Sequence, residues 1–156
     1  MAGIMPTLPE VAGMAQALAD TGLPYIISFT IEDNGCLIDG TPICDAIAYI
    51  DKETGVKAPL CYITNCVHPS IVYRALSQPF NRCDTVKSRF WGVQANASPL
   101  SFKELDGCAQ LRSSEPKALG RSMLRLAEVM DMRIFGGCCG TDGRHMEEIA
   151  KLLSGK

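Results

Sequence analysis

Positive charge is in short supply in this chain. Its 156 residues carry 15 Lys and Arg against 17 Asp and Glu, a net charge of −2. It therefore has no basic field to draw it onto nucleic acid or an anionic membrane, and neither is expected as a partner. Long apolar runs are missing too, since no stretch approaches the roughly 20 residues that a membrane-spanning helix needs. The first 20 residues lack the basic start of a secretory signal and carry Pro6, Pro9, Glu10 and Asp20. A cytoplasmic location is the resulting default expectation. No solenoid-period repeat, low-complexity tract or linker interrupts the chain, so residues 1–156 read as one domain.

What the chain does have is cysteine, eight residues of it. Without a secretory signal these point to metal ligands or free thiols rather than to a disulfide framework. Two lie side by side in a glycine frame, Gly136-Gly137-Cys138-Cys139-Gly140-Thr141, after the apolar run Met132 to Phe135. Successive side chains on a strand point to opposite faces, so both thiols reach one point only if the backbone leaves strand geometry there. Gly137 and Gly140 permit that departure, because glycine takes positive φ without steric cost. A second segment, Tyr62-Ile63-Thr64-Asn65-Cys66-Val67-His68-Pro69, also ends an apolar strand on a cysteine just before a helix start. Three thiolates from Cys66, Cys138 and Cys139 at two strand mouths make a zinc site with its fourth position open, the catalytic arrangement. The competing reading takes the three as small buried hydrophobes, as most free cysteines are.

The rest of the chain alternates strand and helix. Val11, Met14, Ala15 and Leu18 fall at helical spacing. Tyr25 to Ile31 reads as a strand buried on both sides, followed by turn chemistry at Asp33-Asn34-Gly35. Thr41-Pro42 predicts a helix start with Ile43, Ile47 and Ile50 on one face. Leu60 to Asn65, Phe90 to Ala95 and Ile134-Phe135 are the other strands, each leading to a helix. The helix stripes are Val72, Ala75 and Leu76; Leu119, Met123, Leu126 and Met130; and Met146, Ile149, Ala150 and Leu153, the last helix capped by Asp142. Alternation of this kind predicts an α/β fold of about four parallel βα units with the working site at the carboxyl ends of the strands. Cys66, Asn96 and Cys138-Cys139 all fall there.

Other polar residues have two readings each. His68 is a potential metal ligand but is better placed to begin the helix at Pro69. His145, one turn after the Cys-Cys loop, is a candidate for orienting that loop from behind the metal ligands, with a surface histidine as the alternative. Asn65 and Asn96 are candidates for binding a substrate's amino-acid end, against plain structural hydrogen bonding. Glu104 and Asp106 read as a solvated face. Cys36, Cys44, Cys61, Cys83 and Cys108 share no strand-end position and read as packing or free thiols. No residue beyond the metal site stands out as catalytic. A dithiol redox role for Cys138-Cys139 fits poorly, because the loop lacks Cys-x-x-Cys spacing.

At these residues the chain resembles the zinc-dependent homocysteine S-methyltransferases. The resemblance is carried by Pro24 to Ile31, Asn65-Cys66-Val67-His68-Pro69, Asn96-Ala97-Ser98-Pro99-Leu100-Ser101, and Gly136 to Thr141 followed by Arg144-His145. It implies a (β/α)8 barrel that binds homocysteine sulfur on Zn2+ and methylates it to methionine with a small methyl donor. The likeness runs to the C-terminal half of such an enzyme, and 156 residues fall short of the about 250 of a complete barrel. It also sets Gly3 where the family carries a glutamate holding the substrate's amino group. Closure of the barrel by a homodimer or by a separate N-terminal half is the expected consequence. The rival expectation is a truncated paralogue that binds zinc or thiols without turnover.

Overall fold

The computed structural model describes residues 1–100, 104 and 113–155; Asp106 and Cys108 lie outside them. Five strands run parallel in sequence order, β1 (Ala2–Met5), β2 (Ile27–Phe29), β3 (Tyr62–Val67), β4 (Phe90–Ala95) and β5 (Ile134–Gly137). The helices between and after them are α1 (Leu8–Asp20), α2 (Ile43–Thr54), α3 (Pro69–Leu76), α4 (Asp84–Arg89), α5 (Pro116–Val129) and α6 (Gly143–Ser154). Because the strand order never reverses, crossovers of one hand leave the helices together on one face. The contacts α1 to α2, α2 to α4, α3 to α5 and α5 to α6 trace that layer.

Apolar side chains fill the space between the layers. Ile27, Phe29, Tyr62 and Val93 come from the sheet, and Val11, Ile47, Val72, Leu119, Met123 and Leu126 from the helices, all fully buried. Phe29 and Tyr62 stack with ring centroids 5.2 Å apart. The Tyr62 hydroxyl donates to Asp51 Oδ1 at 2.8 Å, and Arg89 grips the same carboxylate through Nε at 2.9 Å and Nη2 at 3.0 Å. One carboxylate thus ties α2, β3 and the end of α4 together. The opposite face of the sheet is built differently, with Ser28, Asn65 and Gln94 as polar members.

The sequence reading of the elements and of two cysteines departs from the structure. It counts four βα units, whereas Ala2–Met5 adds a fifth strand by pairing with β2. The run Tyr25 to Ile31 is a strand only over Ile27–Phe29, and Ile31 makes an isolated antiparallel bridge to Leu37. The short charged helix α4 carries no apolar stripe to reveal it; its first turn is capped by Cys83 Sγ, which accepts from the Val86 N–H at 3.4 Å. Finally, Cys44 and Cys83 are joined in a disulfide rather than free, with Cα atoms 6.8 Å apart and a sequence separation of 39. Buried Asn81 brings the two together: its Oδ1 accepts the Cys44 N–H at 3.0 Å and its Nδ2 donates to the carbonyls of Gly35 and Ala75. Cys36 and Cys61 remain free thiols. Among the described residues no helix is long and apolar enough to cross a membrane.

Candidate metal centre

β3 and β5 flank β4, so residues at their carboxyl ends face each other across one strand. Cys66 sits near the end of β3, and Cys138 and Cys139 follow β5 directly. Their three sulfurs lie within 4.8 Å of one another, with Cys66 and Cys139 3.4 Å apart and Cys138 and Cys139 4.0 Å apart. Cys66 and Cys138 are half-buried and Cys139 is exposed, so the cluster opens to solvent on one side.

The two strands turn their thiols inward by different means. At β3 the backbone itself departs: Cys66 has φ 61, a left-handed value rare for a residue with a Cβ. At β5 the glycine frame serves, although only Gly140 takes positive φ, at 76. Gly137 works through space instead. A Cβ there would collide with Thr141 Oγ1 and come within 2.8 Å of Met146 Cε. The loop is then fixed by its backbone. Cys138 N–H donates to the Ala95 carbonyl at 2.7 Å, and the Cys139 carbonyl accepts the Ala97 N–H at 3.0 Å. The Thr141 hydroxyl donates to the Cys138 carbonyl at 2.7 Å and that of Ser113 to the Gly140 carbonyl at 2.8 Å. Ser113 and Thr141 were not singled out from sequence. A threonine directly after the glycine frame is the signal that pointed to one of them.

Burial pushes the Cys66 thiol up to about 12, with hydrogen bonding to Cys138 and Cys139 and the charge of their sulfurs adding to the shift. A bound metal ion reverses this, because a coordinated thiol is deprotonated outright.

The remaining candidates surround this cluster. Asn96 is buried, its Nδ2 lies 4.0 Å from Cys66 Sγ, and its Oδ1 accepts the Ser98 N–H at 2.9 Å. Asn65 turns its Oδ1 to the Ile4 N–H and the Ser28 hydroxyl, and Gly3 stands beside it, where an added Cβ would meet that oxygen at 3.4 Å. His145 is 2% exposed and is not part of the sulfur cluster. It closes a capping box with Asp142 at the start of α6, and its Nε2 lies 3.0 Å from the Ser114 carbonyl. Arg144 pairs with the same Asp142 through Nε and Nη2 and, with His145, holds that carboxyl below the usual carboxylate range. His68 caps α3, its Nδ1 accepting the Ser70 N–H at 3.2 Å, and burial lowers its pKa; it is not in the sulfur cluster. A cavity of 440 Å³ adjoins Cys66, walled by Ile31, Val67, Ile71 and Leu100 and by Arg74, which pairs with Asp33 at 3.4 Å.

The sequence profile of the homocysteine S-methyltransferases matches residues 1–153. The chain belongs to the homocysteine S-methyltransferase family. No curated protein sequence matches it. Its fold is similar to that of the homocysteine methyltransferase MmuM from Escherichia coli in the apo form, with a TM-score of 0.68 and 19% identity, over 97% of this chain and 48% of that one. The metallated form of the same protein gives a TM-score of 0.61 and 20% identity, over 97% of this chain and 42% of that one. The chain therefore spans about half the length of these relatives, and the five parallel strands among its described residues, with their helices, form part of a (β/α)8 barrel.

Proposed function

We propose that Cys66, Cys138 and Cys139 hold Zn2+ and that the chain takes part in methylating the thiol of homocysteine to give methionine. The observation that carries the reading is the sulfur triangle. Sulfurs at about 2.3 Å from a tetrahedral zinc lie about 3.8 Å apart, and the two short separations here, 3.4 and 4.0 Å, bracket that value. Three protein ligands with a solvent-facing side leave one position for a substrate. Family membership and the existence of a metallated relative support the same reading.

A bound zinc supplies the positive charge that keeps a fourth, substrate sulfur deprotonated at neutral pH. The chain's own residues do the rest. Cys66, Cys138 and Cys139 give up their protons on metal binding. Asn96 directs an N–H toward the Cys66 sulfur, and His145 braces the start of α6 behind the Cys-Cys loop. The cavity beside Cys66 receives the amino-acid end of the substrate, with Arg74 and Asp33 offering partners of both signs to a zwitterion. The Nδ2 of Asn65 is a further donor. In the transfer, the sulfur–methyl bond forms as the donor's bond to methyl breaks, and the thiol's proton goes to solvent. The strand count bears on the partner: two copies of five strands make ten, whereas a separate piece of three βα units would complete an eight-stranded barrel. It favours completion by three further βα units over a homodimer.

The test is zinc content of the purified, reduced chain. About one zinc per chain, lost in Cys138→Ser, is expected from a three-thiolate site. A folded sample without zinc would sink the reading. Gly3, lacking the family's glutamate, favours the second reading, a zinc-binding protein without turnover. Homocysteine added to cobalt-substituted protein decides between them. A new sulfur-to-metal band supports the methyltransferase, and an unchanged spectrum supports the non-catalytic protein. Gly3→Glu is then expected to tighten homocysteine binding, since a Cβ there makes only ordinary contact, at 3.4 Å from Asn65 Oδ1.

A further inference from the structure

We propose that Asn65 is a positioning residue whose carboxamide fixes the backbone from which the Cys66 thiol is aimed. The proposal rests on the metal reading above. Regular sheet pairing does not hold Cys66. The β2–β3 ladder ends at Thr64, and the β3–β4 ladder slips between Asn65, paired with Gln94, and Val67, paired with Ala95. Cys66 lies in the slip, at φ 61. A left-handed non-glycine residue persists only where its surroundings over-determine it. The ladder does not supply that constraint, so a neighbour must.

Asn65 is that neighbour. It is 6% exposed, and its Oδ1 accepts two bonds, from the Ile4 N–H at 3.1 Å and the Ser28 hydroxyl at 2.6 Å. The Ile4 donor identifies the oxygen of the amide, since a side-chain NH2 facing an N–H would repel it. One side chain thereby joins β1, β2 and β3. Its first partner, Ile4, is itself left-handed at φ 60, an outlier for a β-branched residue. Asn65 thus bonds to one strained residue and immediately precedes the other. With two donors on it, the oxygen is saturated and unavailable to a ligand's ammonium group. Asn65 therefore acts on the site through Cys66, and any direct contact with a ligand is left to its Nδ2.

The experiment compares wild type with Asn65→Ala, Asn65→Asp and Ser28→Ala. In metal-free protein, the Ile4 amide is protected from hydrogen exchange in wild type and exchanges freely in Asn65→Ala, and the alkylation rate of Cys66 rises. Zinc affinity, measured by competition with a chromophoric chelator, falls about 10- to 100-fold in Asn65→Ala, the usual cost of losing an orienting partner. Asn65→Asp keeps an acceptor for both donors and recovers the affinity and the Ile4 protection. Ser28→Ala leaves β3 untouched and moves every readout the same way by less, which keeps the test decisive if Asn65→Ala does not fold. Wild-type Ile4 exchange and Cys66 alkylation in a folded Asn65→Ala, or in Ser28→Ala if that variant alone folds, would overturn the proposal whatever the metal does. A wild-type chain that binds no zinc would sink the metal reading alone.

Discussion

The two arms of the sulfur cluster reach the same point by opposite strategies. The β5 arm spends glycines: Gly137 clears space for Thr141 and Met146, Gly140 turns the chain, and backbone hydrogen bonds to Ala95 and Ala97 fix both cysteines. The β3 arm has no glycine near its cysteine and bends Cys66 itself, next to Asn65, whose Oδ1 accepts the Ile4 N–H and the Ser28 hydroxyl from the neighbouring strands. The first arm is rigid by its own loop. The second is only as well placed as the frame around it. The strained conformation of Cys66 is thus a property of the surrounding sheet more than of its own segment.

That contrast can be broken from the frame side first. The Cys44–Cys83 disulfide closes a loop that contains β3 and Cys66 but excludes Cys138 and Cys139. Reducing it, or replacing Cys44 by Ser, is expected to cost about 4 kcal/mol on the chain-entropy estimate for its 39-residue separation. Urea unfolding of the metal-free chain with and without reductant measures this, and hydrogen exchange should show the loss on β3 before β5. On the other arm, Gly137→Ala places a methyl group against Thr141 and Met146 and should cost about 1–3 kcal/mol, the usual range for overpacking. It should also lower zinc affinity, and a variant with unchanged unfolding midpoint would remove the spatial role assigned to Gly137.

The strain at Cys66 has its own measurement. In metal-free protein Cys66→Gly should be more stable than Cys66→Ala by about 1–2 kcal/mol, because glycine accepts the left-handed backbone that alanine resists. Equal stabilities would mean that the conformation is not strained. A further effect is in pH, confined to alkaline conditions. The folded-state value of Cys66 is raised, to about 12 from an ordinary 9.0, so the protonated thiol stabilises the metal-free fold. That contribution is complete below about pH 9 and is lost as pH rises toward about 12. Unfolding midpoints should fall across this window in wild type and fall less in Cys66→Ala. Zinc affinity should run the other way, strengthening with pH as the thiols surrender their protons.

Legibility from sequence followed the same division. The glycine frame announced the β5 arm, and apolar periodicity found β3, β4, α2 and α5, because burial leaves a repeating pattern. Val11 and Ala15 of α1 were read correctly as core, while Met14, placed on the same face, is 39% exposed. What escaped depended on contacts across the fold. β1 is four residues long and acquires its identity from pairing with β2. The bend at Cys66 carries no glycine, the Cys44–Cys83 bond joins positions 39 apart, and the cap on α4 is a sulfur. His145 was legible as a neighbour of the Cys-Cys loop, but its bond to the Ser114 carbonyl joins segments 31 residues apart.

The bend at Ile4 also bears on solubility. Among the described residues β1 is an outer strand, and such strands offer free donors and acceptors to any passing chain. Ile4 takes its N–H out of that offer by turning it inward to Asn65, and the pairing register slips between Ala2 and Met5. At the other margin β5 is only four residues, two of them glycine. Neither margin presents a long flat template, so indiscriminate strand addition is discouraged.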